Sequence, residues 1–328
     1  MSLDSIDNRL LNLVQSEFPL EQEPYVALGN KLGITGDEVL ARVGRLLENN
    51  IIRSFSAVFE AATLGYHSTL VAMSLDDERV EKAATLINRN PGVSHNYLRD
   101  HHLNLWFTLT DTKDSDLEAI AAKMGDKAGA RLTLSLPALQ VFKINVFFDM
   151  DGKDNGSNDG GRAASPRKGE SAELSDADRA LVQELQQDLP LIRNPFDEMA
   201  ERVGLKTGEF LQGAEALMQR GIMRRYGARI NHRRAGFVAN AMCCWIVSPH
   251  DAPRVGKIMA GYRQVSHCYE RQTAPEWPYN IYTMVHGRTD EEARSVARSI
   301  SEETGLDNYI LLTSTREFLK RRPKYFAE

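Results

Sequence analysis

Cysteine is scarce in this chain. Three occur among 328 residues, Cys243, Cys244 and Cys268, and no two are spaced as C-x-x-C. That excludes a disulfide framework and fits a reducing, cytoplasmic setting. Long apolar runs are missing too. No stretch of about 18 apolar residues occurs, so no helix is expected to span a membrane. The N-terminus, Met-Ser-Leu-Asp-Ser, carries an acidic residue and no apolar segment, so no secretory signal is expected there. Neither sign of charge is in large excess: the formal net charge is -5, unlike the footprint of a protein whose main partner is nucleic acid. What is present is the profile of a soluble globular protein, 42% apolar and 26% charged. The length suffices for two or more domains.

The chain repeats itself. Residues 149–173 are rich in Gly, Asp, Asn, Ser and Lys and nearly free of large apolar side chains, so they read as a flexible linker. On either side the segments match. Phe18-Pro19 and Pro24-Tyr25 correspond to Leu189-Pro190 and Pro195-Phe196. Leu32-Gly33-Ile34 corresponds to Val203-Gly204-Leu205, Asn50-Ile51-Ile52-Arg53 to Gly221-Ile222-Met223-Arg224, and Leu64-Gly65-Tyr66 to Ala235-Gly236-Phe237. All of these pairs are 171 positions apart. Val93-Ser94-His95-x-Tyr97-x-Arg99 then matches Val265-Ser266-His267-x-Tyr269-x-Arg271 at a spacing of 172, and Asn104 pairs with Asn280. A chance match would not hold its spacing so long.

Each copy opens with three helical patterns. Ile6, Leu10, Leu13 and Val14 share one helical face. A second helix is expected from Tyr25 to Leu32, stopped by Gly33. A third follows a Thr35 cap and carries Val39, Val43, Leu46 and Leu47. With a strand pair expected from Ile51 to about Phe59, this reads as a winged helix-turn-helix. The remainder alternates: strand Ser68–Leu75, helix Asp77–Asn88, hairpin Val93–Arg99 and Leu103–Thr110, helix Ser115–Lys127, strand Leu132–Val146. That is the βαββαβ order of a ferredoxin-like domain. The expected architecture is therefore α+β, a tandem duplication. A winged helix-turn-helix (1–60) and ferredoxin-like domain (61–148) precede the linker (149–173). A second winged helix-turn-helix (174–231) and ferredoxin-like domain (232–328) follow it.

The candidate recognition helices are poor DNA readers. The first sets Asp37, Glu38 and Glu48 against Arg42 and Arg45, and Thr207–Gln219 carries no Lys or Arg at all. Arg224, Arg225, Arg229, Arg233 and Arg234 cluster on and beyond the second wing, either as a solvated surface or as a cradle for a polyanion. The hairpins are more informative. Alternation along a strand sends His95, Tyr97 and Arg99 to one face, and His267, Tyr269 and Arg271 likewise. An imidazole, a phenol and a guanidinium make a polar wall able to donate to carboxylates. Trp106 and Trp277 are expected to flank these walls, a setting for a flat aromatic ligand. The final run, Lys320-Arg321-Arg322-Pro323-Lys324, reads as a solvated tail.

The helix-turn-helix plus ferredoxin-like order resembles the Lrp/AsnC regulators over both halves. The hairpins are more specific, and they resemble the siroheme decarboxylases. The strings that carry this are His95-Asn96-Tyr97-Leu98-Arg99-Asp100-His101, Asn104-Leu105-Trp106-Phe107, Pro275-Glu276-Trp277-Pro278-Tyr279-Asn280 and Met284-Val285-His286-Gly287. Asp100 is a departure, since members often carry Glu there. The resemblance implies a fused two-copy carboxy-lyase. It would convert siroheme to 12,18-didecarboxysiroheme by loss of two acetate carboxyl groups as CO2, for heme d1 or an alternative heme route. It implies His101 with one of His95 or His286 as proton donors or iron ligands. Tyr97, Arg99, Trp106, Arg225, His267, Tyr269, Arg271, Trp277 and Tyr279 would hold substrate. No metal site of its own and no separate cofactor are expected, because the iron belongs to siroheme and the macrocycle can act as electron sink. Expected partners are siroheme and its product; a homo-oligomer and neighbouring enzymes of the tetrapyrrole pathway are compatible, DNA and membrane are not. Rival readings are an Lrp/AsnC-type transcription regulator and a heme-binding sensor.

Overall fold

The computed structural model describes residues 3–16, 18–144, 150, 173–231, 234 and 239–326. The linker apart from 150 and 173, Val146 at the end of the expected strand, Arg233 of the basic cluster and the Ala235-Gly236-Phe237 repeat lie outside the described residues.

The first copy runs α1 (Ser5–Ser16), α2 (Pro24–Leu32), α3 (Gly36–Glu48), β1 (Ile52–Phe59), β2 (Tyr66–Ser74), α4 (Asp77–Asn88), β3 (Val93–Arg99), β4 (Leu105–Thr112), α5 (Leu117–Ala128) and β5 (Leu132–Ile144). The second repeats it as α6 (Asp176–Leu185), α7 (Pro195–Arg202), α8 (Thr207–Gln219), β6 (Met223–Ile230), β7 (Ala239–Trp245), α9 (Ala252–Gly261), β8 (Val265–Arg271), β9 (Ile281–Gly287), α10 (Asp290–Thr304) and β10 (Tyr309–Lys320). The local signals act as chemistry requires. The Thr35 side chain accepts from the Glu38 N–H at the start of α3, and Gly33 ends α2 in the left-handed conformation at φ 76°.

The two copies are interleaved. The strand pair expected from Ile51 to about Phe59 is instead one continuous strand: β1 pairs antiparallel with β6, so each wing strand finds its partner in the other copy. Beneath them Phe18 packs on Phe196 and Tyr226, and the two helical units share one apolar core. The eight remaining strands close into a barrel, β10-β3-β4-β2-β5-β8-β9-β7. Within each copy the order is that of a ferredoxin-like sheet. The last strand of each copy then crosses over: β5 pairs with β8 and β10 with β3. Two helix-on-sheet cores lie outside the barrel, and a fourth cluster fills part of its interior with Trp106, Trp277, Tyr282, Leu136 and Leu312.

Closure leaves none of the eight barrel strands with an unpaired edge, and an edge left open would invite aggregation. Expressed as two separate chains cut within 149–173, the copies are therefore expected to co-purify one to one. Each alone should aggregate. Size-exclusion chromatography with a tag on one chain checks this, and a soluble, monomeric single copy would contradict it.

Candidate functional site

The faces of β3 and β8 follow from their neighbours. Val93 joins the helix-side core, and the Asn96 amide donates to the side chain of Asn88 on α4. A register shift separates Val93 from His95, so His95, Tyr97 and Arg99 turn together into the barrel. There Arg99 Nη1 donates to the Leu312 carbonyl at 2.8 Å. The second triplet does the same, with Arg271 Nη1 donating to the Leu136 carbonyl at 2.8 Å. The rings of each triplet stack: His95 on Tyr97 at 6.4 Å, His267 on Tyr269 at 6.0 Å. Each guanidinium lies over its tyrosine, at 5.7 Å for Arg99 and 4.7 Å for Arg271. Both expected walls thus form and face one barrel interior, the chamber, where the charge of His267 reaches His95.

The chamber is strongly basic. Burial, then the charges of Lys320, His267, Arg229 and Arg53, push the His95 imidazole down to about 3. Burial, then Lys320, Arg271, Arg224 and Lys143, push His267 down to about 4. Burial lowers Arg99 to about 10 and lowers Arg271 as well. The Nε groups of Arg53, Arg99, Arg229 and Arg271 are buried with no hydrogen-bond partner among the described residues. Donors of that kind are costly unless an acceptor arrives, and a carboxylate is the natural one. Both histidines keep partial surface exposure while crowded by cations, as lining residues should.

The two halves of the chamber are unlike. Opposite Tyr97 and His95, β10 places Glu317 and Lys320. Opposite Tyr269 and His267, β5 places Val141 and Ile144. Glu317 takes the Tyr97 hydroxyl at 3.5 Å and Arg53 at 3.4 Å. In the second half, Ser266 Oγ lies 2.9 Å from His267 Nδ1 and 2.8 Å from His286 Nε2.

Other expected residues sit elsewhere. His101 is on the β3–β4 turn, where Nδ1 accepts from the Leu103 N–H at 3.1 Å. Its ring meets Trp277 edge-on at 5.4 Å. Burial and then His102 lower its pKa. Trp106 and Trp277 are each 1% exposed and pack on one another at 5.2 Å, with Tyr279 4.7 Å from Trp277. Their indole N–H groups are taken by Leu103 O and Tyr282 Oη. The tryptophans are therefore core behind the walls, not an open stacking face. Arg225 also corrects the expectation. It turns away from the chamber and donates to the Gln15 carbonyl on α1, and Arg224 and Arg229 are the members of that cluster that act on the chamber. Nor is the closing basic run a solvated tail: Lys320 faces His95, Arg321 Nε donates to the Val93 carbonyl, and Arg322 donates to Ser54.

Arg53, Glu317, Lys320 and Ser266 escaped the sequence reading. Arg53 had a signal, since it is the repeat partner of Arg224. Glu317 and Lys320 had none, because β10 and β5 differ at those positions. Among the described residues no group of three or more His, Cys, Asp or Glu is placed to hold a metal ion, and no helix is long and apolar enough to cross a membrane. Arg42 on α3 is engaged by Asp4, Asp7 and Glu38, which leaves the first candidate recognition helix without its main phosphate ligand.

The depressed histidines have a pH consequence. Unfolded, each titrates near 6.5; folded, near 3 and 4. Between those limits the unfolded chain binds more protons, so their contribution to stability falls as pH drops from about 6.5 toward 3. Urea midpoints at pH 7, 6 and 5 are expected to fall less steeply for a His95→Asn, His267→Asn double variant; an identical slope would contradict it.

Comparison with known proteins agrees with this geometry. A family model described as the siroheme decarboxylase NirDL-like HTH domain matches residues 7–53 and 178–224, and the AsnC-like ligand binding domain matches 63–143 and 234–319. The chain is 37% identical to a siroheme decarboxylase of Hydrogenobacter thermophilus over 98% of its own length and 95% of the relative's. A siroheme decarboxylase beta subunit of Methanosarcina barkeri is 42% identical over 45% of this chain and 97% of the subunit. The crystal structure of the siroheme decarboxylase NirDL with an iron-uroporphyrin III analogue superposes with a TM-score of 0.72 at 33% identity, covering 98% of this chain and 95% of that one.

Proposed function

The chain belongs to the siroheme decarboxylase family, and from that premise we propose that it converts siroheme to 12,18-didecarboxysiroheme, releasing two acetate carboxyl groups as CO2, on a route to heme d1 or an alternative heme. The observation that carries this reading is the chamber: two His-x-Tyr-x-Arg faces in one barrel, ringed by cations with unpartnered N–H groups. Siroheme is a flat polycarboxylate. Arg53, Arg99, Arg224, Arg229, Arg271 and Lys320 provide the countercharge, and Tyr97 and Tyr269 orient individual carboxylates.

In each step the C–C bond to a carboxylate breaks, CO2 leaves, and the electron pair stays on the methylene carbon, spread into the macrocycle. That carbon then takes one proton and becomes a methyl group. Histidine is suited to hand it over. His95 and His267 are neutral in the free chamber. The anionic substrate raises their proton affinity, so binding takes up protons where it will need them. His101, beside Trp277, is a further proton donor or iron ligand, and His286 acts from behind Ser266. The macrocycle serves as electron sink, and no separate cofactor is invoked.

The test is anaerobic mixing of the purified protein with siroheme, followed by mass spectrometry. Loss of two CO2 units is expected. A Soret shift with no mass change would make the protein a tetrapyrrole sensor, and salt-sensitive binding to a DNA site without either would make it a regulator.

A further inference from the structure

The second half of the chamber contains a contact that its twin lacks. His286 follows Met284 by two positions on β9, and Met284 packs against the interior cluster, so His286 shares that face. Its Nε2 lies 2.8 Å from Ser266 Oγ, which lies 2.9 Å from His267 Nδ1. Ser266 is 5% exposed and holds both rings at once from the strand irregularity between Val265 and His267. In the first half the same Ser–His pair exists, Ser94 Oγ to His95 Nδ1 at 2.9 Å, but Thr110 occupies the place of His286. The repeat preserved the serine on both sides and added the second imidazole on one.

We infer that Ser266 and His286 form a proton wire that feeds His267 while substrate fills the chamber. This rests on the decarboxylase reading. Its need follows from stoichiometry: each R–CH2–COO⁻ plus H⁺ gives R–CH3 plus CO2, so two decarboxylations consume two protons. A macrocycle seated against the walls blocks the direct path from water to them. The wire goes around it. His267 gives its Nε2 proton to the methylene carbon left by CO2. Ser266 passes its hydroxyl proton to His267 Nδ1 and receives one from His286 Nε2. His286 Nδ1 is buried, and it regains a proton when water reaches it at the end of the barrel, two residues before the exposed 288–291 segment. No electron is gained or lost by the protein. Ser266 and His286 are positioning and relay residues; neither touches the reacting carbon. His95, lacking the third member, serves its own half independently.

Ser266→Ala, His286→Gln and the double variant separate a wire from packing. Each is first titrated with siroheme by the Soret band, then followed through one anaerobic turnover by mass spectrometry. Affinity within a few-fold of the unaltered protein is expected. Loss of one CO2 should persist, while loss of the other slows about 100-fold and the monodecarboxylated siroheme accumulates. The double variant should be no slower than either single one, because a broken wire cannot be broken twice. Both CO2 units leaving at the unaltered rate from either variant would overturn the wire, as would losses that multiply in the double variant. Failure of the unaltered protein to release any CO2 would instead strike the decarboxylase reading itself.

Discussion

Siroheme mixed anaerobically with a His95→Asn variant is expected to bind and to keep at least one carboxylate that the unaltered protein removes. Asparagine fills a similar volume and can still bond Ser94, but it cannot carry a proton. General acid catalysis by a positioned side chain contributes about 10²- to 10⁴-fold, and turnover should fall within that range while the Soret titration stays nearly unchanged. The contrast with His101→Ala is informative. His101 stands on the turn against Trp277, apart from both triplets. If His101 is the donor, His101→Ala loses CO2 release with folding intact and His95→Asn does not. Single-turnover mass spectrometry of the two variants side by side decides between them.

The second large effect concerns affinity. Arg53 and Arg229 lie on the paired wing strands, and the charge of each reaches His95. They face each other as like charges; burial first and Arg53 second depress the Arg229 guanidinium. Replacing both with Met removes two donors for carboxylate. At about 1.5–3 kcal/mol for each hydrogen bond to a charged group, siroheme binding should weaken by roughly 10²-fold or more. The slope of affinity against salt should flatten, because fewer charges are brought together. Thermal stability is expected to change little, since the like-charge contact and the Arg53–Glu317 ion pair are lost together. A change that weakens binding far more than it disturbs the fold identifies a functional site. Equal affinity in the double variant would remove these arginines from the site.

The sequence and the structure agree where the physics is local. The spacing of apolar residues and the Thr35 and Gly33 signals place α2 within a residue and the start of α3 at Gly36, and Asp77–Asn88 and Val93–Arg99 are found as read. Alternation along β3 and β8 is a local rule, and it put both triplets on common faces. What could not be read was which strands meet. Nothing in β5 or β10 announces that each leaves its own sheet for the other copy's, because strand pairing across so long a separation depends on the whole chain's packing. The barrel, and with it Glu317 and Lys320 opposite the first triplet, follows only from that crossing. Arg225 was misplaced for a related reason: six residues of β6 carry three arginines, and only the twist and register of the wing pair decide which of them turn inward. Trp106 and Trp277 showed the limit of reading a flat ring as a ligand platform, since closing the barrel buries them on each other.

The crossing strands also govern what an assembly of these halves can be. Each triplet faces the last strand of the opposite copy, so the partner's identity writes half of the pocket. Two first copies together would set Val141 and Ile144 against both triplets and supply neither Glu317 nor Lys320. Two second copies would set Glu317 and Lys320 against both. Only the mixed pairing yields a lopsided pocket, able to tell one edge of an unsymmetrical macrocycle from the other. Carrying both halves on one chain fixes their dosage and raises their effective concentration to the order of millimolar, which makes mispaired assemblies rare at any expression level. Freed from having to recognise their own kind, the halves can diverge, and a change such as Thr110 against His286 can settle in one without being imposed on the other.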